Sequence, residues 1–311
     1  MNAAAQAVPE ARPGRTCPVS YRYPPRVFDR EPEILADTLY VVGGLYGNVE
    51  ALASIEALAA REAGPPVIVF NGDFHWFDID ARDFAAIDAG VRAHRALRGN
   101  VETELAHDET AAGCGCAYPA DVSDADVSRS NAILERLRGR ARAYPAIREA
   151  YAALPMHGVA RVGDARIGLV HGDATSLAGW GFAHDRLDAP SHRRWLENVF
   201  ADSKADVFAS THTCLPAFRD FGFGIVANNG AAGMPNFAGT RHGLITRIGV
   251  RPHGGGEPSL ALSAHGVHVE ALRVEYDHAR WLARFLASWP EGSPAHQSYH
   301  RRIVEGPAFG C

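Results

Sequence analysis

The sequence has no surplus of basic charge: across 311 residues, 31 Lys and Arg face 36 Asp and Glu, for a formal net charge of -5. Stable nucleic-acid binding is disfavoured, because a phosphate backbone is held mainly by clustered Lys and Arg. The chain lacks an unbroken apolar run of the ~18 residues that a membrane helix needs, and its first residues lack the ~7–15-residue apolar stretch of a secretory signal. Cysteine is scarce: Cys17, Cys114, Cys116, Cys214 and Cys311 are an odd number scattered over a long chain, which is no disulfide framework. These absences predict no membrane partner, reduced thiols and a cytoplasmic location. Gly43, Gly44 and Gly47 do not make the G-x-G-x-x-G spacing of a dinucleotide fold. No internal repeat is present, and nothing specifies an oligomeric state.

What is present is ample apolar material, 47% of residues, enough for a sizeable core. Residues 1–37, which begin rich in Ala, Pro and Arg, read as a flexible leader; 38–275 read as the main domain. Residues 276–311 read as a helical extension packed on it, with Trp281, Leu282, Phe285 and Leu286 on one face. The apolar run 39–43 predicts a strand buried on both sides. Asn48 then caps a helix bearing Leu52, Ile55 and Leu58, and 67–70 predict a second buried strand. A strand–helix–strand unit implies parallel pairing. Helices are expected over 81–97 and 127–154, with a loop at 113–119. Further strands are expected at 159–162, 167–170, 207–210, 225–228, 244–248 and 267–274.

Five polar turns each follow an apolar segment, the place where open α/β sheets bind ligands. They contain Gly44, Tyr46 and Asn48; Gly72 and Asp73; Gly99, Asn100 and Glu102; His171 and Asp173; and His212, Cys214 and Pro216. Carboxylate, amide and imidazole donors together suit borderline divalent metals such as Mn, Fe, Ni or Zn.

In order and spacing, these turns resemble the motifs of the calcineurin-like metallophosphoesterases, especially the small bacterial phosphodiesterase-like branch. The family's series runs D-x-H-G-N, G-D, G-N-x-[DE], H-G-[DE] and G-H-x-H-x-P, and the resemblance covers roughly residues 39–248. A later turn, Asn228 to Pro235, is similar to the family's N-P-G-S-x-G-x-P. The resemblance implies a four-layer α/β/β/α sandwich of two mixed sheets flanked by helices, with the site at their upper edge. It also implies a metal-dependent phosphoesterase acting on a small phosphodiester or phosphomonoester.

The departures from the family pattern fall on one side. In the family, one ion is held by the Asp and His of D-x-H and the last His of G-H-x-H; Gly44, Tyr46 and Cys214 stand there. The other ion is held by residues that match Asn100, His171 and His212, with Asp73 at the bridging carboxylate. Asp73, Asn100, His171 and His212 are therefore the expected metal and catalytic set, holding one divalent ion. Tyr46 and Cys214 either rebuild a first site, giving two ions, or fill its space. The family's catalytic His is replaced by Val101, which leaves His75, Glu102 and His184 as candidate acid or base groups. Each has a plain alternative: a structural or surface histidine for His75 and His184, a first-turn helix acid for Glu102. Cys114 and Cys116 lack the second ligand pair of a zinc site and read as loop packing. Two other functions stay open: a catalytically silent relative that binds a nucleotide or protein, and non-phosphatase chemistry at a rebuilt centre, for which redox-active iron would be the sign.

Overall fold

The computed structural model describes residues 12–108 and 111–310. The strands in chain order are β1 (Ile34–Ala36), β2 (Thr38–Val42), β3 (Val67–Asn71), β4 (Arg95–Leu97), β5 (His157–Val162), β6 (Ala165–Val170), β7 (Val207–Ser210), β8 (Pro216–Asp220), β9 (Ile225–Asn229), β10 (Gly243–Gly249), β11 (Leu260–Ala264) and β12 (Val267–Val274). They form two six-stranded sheets, ordered β11-β12-β10-β2-β3-β4 and β1-β5-β6-β7-β9-β8. Both sheets are mixed. In the first, β2, β3 and β4 run parallel and β10 pairs antiparallel with β2; in the second, β6, β7 and β9 run parallel and β5 is antiparallel to β6.

Alternation along each strand builds the layers, since successive side chains leave a strand on opposite faces. Leu39, Val41, Val69, Ile167, Leu169, Val207 and Ile225 meet between the sheets. The residues between them, Tyr40, Val42, Ile68 and Phe70, pack outward against helices α1 (Val49–Ala59) and α2 (Ala81–Arg92). On the far side, Val170, Phe208 and Val226 meet α7 (Arg193–Ser203) through Leu196, Val199 and Phe200. The result is the four-layer α/β/β/α sandwich expected. No helix among the described residues is long and apolar enough to cross a membrane.

Three expectations change. Within the supposed flexible leader, residues 12–37 are built into the fold: Tyr21, Tyr23 and Phe28 are buried, the Tyr23 hydroxyl donates to the Asp173 carbonyl at 2.9 Å, and β1 pairs parallel with β5. Aromatic anchors outweigh the Pro- and Arg-rich composition, and the prolines lower the entropy lost on ordering. Residues 1–11 lie outside the described residues. The helix expected over 81–97 stops at Arg92, and the chain turns into edge strand β4. That over 127–154 is divided into α4 (Asp124–Ala141) and α5 (Pro145–Ala153), because Pro145 cannot continue a helix but suits a first turn. Short strands β8 and β11 were not anticipated.

The C-terminal stretch forms α8 (His278–Ser288) and α9 (Pro294–Glu305). Trp281, Phe285, Trp289 and Ile303 join the same core as α1 and α2, and the Trp289 indole donates to the Phe77 carbonyl at 2.7 Å. Together these helices reach the rim of the pocket described next.

Candidate metal centre

The parallel strands end on one edge, and each hands over a polar side chain there. Asp73 follows β3, Asn100 opens α3 (Asn100–Leu105) just after β4, His171 follows β6 and His212 follows β7. Glycines allow the close approach of these turns. A Cβ on Gly72, at φ +81°, would lie 2.6 Å from His171 Nδ1, and one on Gly99 would lie 2.4 Å from Asp73 Oδ1. Tyr46 (φ 55°), Asp73 (53°) and Cys214 (61°) are non-glycine residues in the left-handed region, and all three line one pocket. Such strain collects where a site over-determines its backbone.

The donors themselves create an electrostatic problem. His171 Nδ1 lies 2.9 Å from the Asn71 carbonyl and His212 Nε2 lies 3.0 Å from the Cys116 carbonyl, so these nitrogens carry the protons. The other nitrogens, His171 Nε2 and His212 Nδ1, then face each other at 3.1 Å with lone pairs. The Asn100 amide nitrogen donates to the Cys114 carbonyl at 2.9 Å, which turns Asn100 Oδ1 inward, 3.0 Å from His171 Nε2. Asp73 Oδ1 completes the group at 3.4 Å from the same nitrogen. Four acceptors thus converge, all buried; Asp73 Oδ1 also accepts from the Val101 amide at 3.3 Å, but acceptors cannot satisfy one another.

A proton or a metal ion placed among them would answer all of these lone pairs at once. The Asp73 carboxylate raises the His171 pKa against the lowering effect of burial, whereas burial and His171 together push His212 down to about 4. The ligand atoms of Asp73, His171 and His212 lie within 4.8 Å of one another. With the outer nitrogen of each imidazole tied to a backbone carbonyl, the tautomers are fixed as in metal-binding histidines. Carboxylate, amide oxygen and two imidazoles fit a borderline divalent ion.

Glu102 does not face this pocket. Its carboxylate accepts from the backbone of Asp73 (2.8 Å), Phe74 (2.9 Å) and Gly99 (2.8 Å), and burial, reinforced by Asp73, raises its pKa. It ties two ligand-bearing turns together, which is a positioning role in place of the acid–base role considered from sequence. His75 is likewise taken up inside the protein: its ring nitrogens lie 2.5 Å from Asp78 Oδ2 and 2.5 Å from the Tyr151 hydroxyl, and its face stacks on Phe84 at 4.2 Å. His184 sits in the short helix α6 (His184–Leu187) against Phe309 and does not line the pocket. Neither histidine lines the pocket.

Beside the four acceptors, Tyr46 and Cys214 meet each other. Their hydroxyl and thiol are 2.8 Å apart. A Cβ on Gly44 would lie 2.8 Å from Tyr46 Cε2, so the phenol ring occupies the space a side chain at 44 would take. Burial, with Cys214 and Asp73 nearby, raises the Tyr46 pKa well above its ordinary value, and burial raises that of Cys214. Both groups are held neutral. Among the described residues, no metal-sized group of three His, Cys, Asp or Glu side chains includes Cys214.

A cavity of about 180 Å³ opens over Asp73, Asn100 and His212. Its walls include Trp76, Tyr118, Trp180, Tyr299 and Arg302, none of which is among the site residues expected from sequence. The loop with Cys114 and Cys116 forms one wall, and the Cys116 carbonyl accepts from both His212 and the Trp180 indole, the latter at 3.1 Å. Asp173 shapes the Trp180 loop by accepting from Thr175 and Gly181. A usable signal for the far wall was the three-residue spacing of Tyr299 and Arg302, which puts both on one helix face.

No family model and no curated protein sequence matches the chain. Among solved structures it is similar to a hypothetical protein from Pyrococcus horikoshii, with a TM-score of 0.59 and 17% identity over 88% of this chain and 100% of that one. It is also similar to a metallophosphoesterase from Sphaerobacter thermophilus, with a TM-score of 0.53 and 16% identity over 87% of this chain and 100% of that one. The likeness is one of fold.

Proposed function

We propose that this chain is a metal-dependent phosphoesterase with one divalent ion held by Asp73, Asn100, His171 and His212, and that Gly44, Tyr46 and Cys214 are a first metal position given up and filled. The convergence of four buried acceptors with both imidazole tautomers fixed from outside carries this reading. A bound ion supplies Lewis-acid polarisation of a phosphoryl oxygen and a water of lowered pKa, toward ~7 for zinc. The protein's part is to hold Asp73 and Asn100 through Glu102 and the Cys114 carbonyl, and to keep His171 and His212 oriented by Asn71 and Cys116.

Leaving-group protonation limits the substrates. Val101 stands where the resemblance would place an acidic histidine, and His212, a proposed ligand, is the only histidine that lines the pocket among the described residues. Phosphoesters of acidic alcohols, such as aryl esters, need no such proton and suit an aromatic-walled cavity. Assay of aryl phosphodiester and phosphomonoester hydrolysis before and after metal removal tests this. Turnover is expected to require added divalent metal and to be lost in Asp73→Asn and His171→Ala; turnover unchanged by chelation or by both substitutions overturns it.

The Tyr46–Cys214 contact favours a second reading, a non-catalytic binding protein on the same fold. One bound ion with no turnover of either ester would select it.

A further inference from the structure

Arg302 stands out among the lining residues as the one guanidinium. It projects from α9, donating through Nη2 to the Cys214 carbonyl at 2.6 Å and through Nε to the Pro235 carbonyl at 3.1 Å. Those two carbonyls fix the plane of the fork, and Nη1 has no acceptor among the described residues. Nor does any carboxylate there pair with Arg302, whereas its neighbour Arg301 pairs with Glu305. A cation partly withdrawn from water, without a counter-ion and at the rim of a cavity, is costly unless an anion enters.

Its place matters as much as its charge. The carbonyl that Arg302 grips belongs to Cys214, at a position the family resemblance gives to a first-metal ligand. We propose that Arg302 binds the phosphoryl anion of the substrate, supplying by a fixed guanidinium the charge neutralisation that a second ion supplies in a two-metal site. Two-metal centres clamp both sides of a transferring phosphoryl group, and a one-ion centre leaves one side open. Arginine suits that side because its planar fork matches phosphate and its charge does not titrate. Tyr299, one turn before Arg302, packs edge-on against Phe77 with ring centroids 5.1 Å apart, which anchors the helix that presents the guanidinium. This inference rests on the metal-dependent phosphoesterase reading and adds the group that recognises the anion.

The test uses the full chain loaded with Mn²⁺ and inorganic phosphate as the probe, with metal content measured separately in every sample. Arg302→Gln is expected to keep the wild-type metal content and to bind phosphate roughly 10- to 100-fold more weakly, the loss of one charged hydrogen-bonding partner. Arg302→Lys is expected in between. Phosphate affinity within about twofold of wild type in both variants overturns the clamp while leaving the metal reading intact. Absence of a bound ion in the wild type instead overturns the metal reading. Because Arg302 also holds two backbone carbonyls, Arg302→Gln could unfold; the wild type then decides alone. Phosphate should protect Arg302 from an arginine-specific dicarbonyl reagent mapped by mass spectrometry, and equal modification with and without phosphate overturns the proposal.

Discussion

On one side of the pocket, Asp73, Asn100, His171 and His212 turn four lone pairs toward one point; on the other, the Tyr46 hydroxyl meets the Cys214 thiol, which donates to the His212 carbonyl at 3.3 Å. The first arrangement gathers lone pairs that a positive charge would answer. The second is complete as it stands, with a phenol ring in the space that a side chain at position 44 would need. The contrast teaches that what surrounds a donor matters as much as the donor itself. One side has outer supports, including the backbone carbonyls of Asn71 and Cys116 and the Glu102 carboxylate, while the other packs with the core.

Removing the support of the first half should have the largest effect. Glu102→Ala leaves three buried amides without their acceptor, and at ~1–3 kcal/mol for each unsatisfied group the expected loss of stability is about 3 kcal/mol or more by denaturant titration. Glu102→Gln keeps the shape and should mainly weaken metal affinity, by roughly 10- to 100-fold.

Next in size is an attempt to reopen the second half. Gly44→Asp alone forces a Cβ against the Tyr46 ring and should cost about 1–3 kcal/mol. Adding Tyr46→His and Cys214→His should relieve that cost and raise the metal content above that of wild type. Additive effects in calorimetry, with no gain in metal, would show that position 44 and the phenol do not compete. Tyr46→Phe is smaller still: Cys214 loses its hydroxyl partner, for about 0.5–1.5 kcal/mol, with metal content unchanged.

A separate effect, seen only as the pH is lowered, lies away from the site, at the junction of the N-terminal segment and β5. His157 packs against Tyr23 and Phe28, and burial followed by the Arg30 charge pushes its pKa from 6.5 down to about 4. The unfolded chain takes up that proton first, so stability is full above pH 6.5 and declines as pH falls toward 4. His157→Gln should flatten that part of the stability profile.

Much of the sandwich was legible because buried strands such as 39–42 and 67–70 are short, continuous and rich in β-branched and aromatic residues, and because the turns after them carry unusual polar residues. The convergence of Asp73, Asn100, His171 and His212 was legible for the same reason: they sit just after strands, where strand direction alone brings them to one edge. What was not legible depends on long-range packing. Tyr21, Tyr23 and Phe28 look like isolated aromatics until the surfaces they cover are known. Glu102 and His75 are polar residues in motif turns, and only the fold shows that their partners are backbone amides in one case and Asp78 with Tyr151 in the other. Arg302 reaches the pocket from α9, far from the motifs in sequence, and Trp180 from the loop after Asp173, so spacing within the motifs carries no trace of them.

The central claim is that the four acceptors form one metal site and their neighbours form none. Elemental analysis of purified protein after reconstitution with Mn²⁺, Fe²⁺ or Zn²⁺, repeated on His171→Ala and His212→Ala, tests it most directly. The account predicts one tightly bound ion per chain that disappears in both variants; two ions in the wild type, or an ion that survives both substitutions, would contradict it.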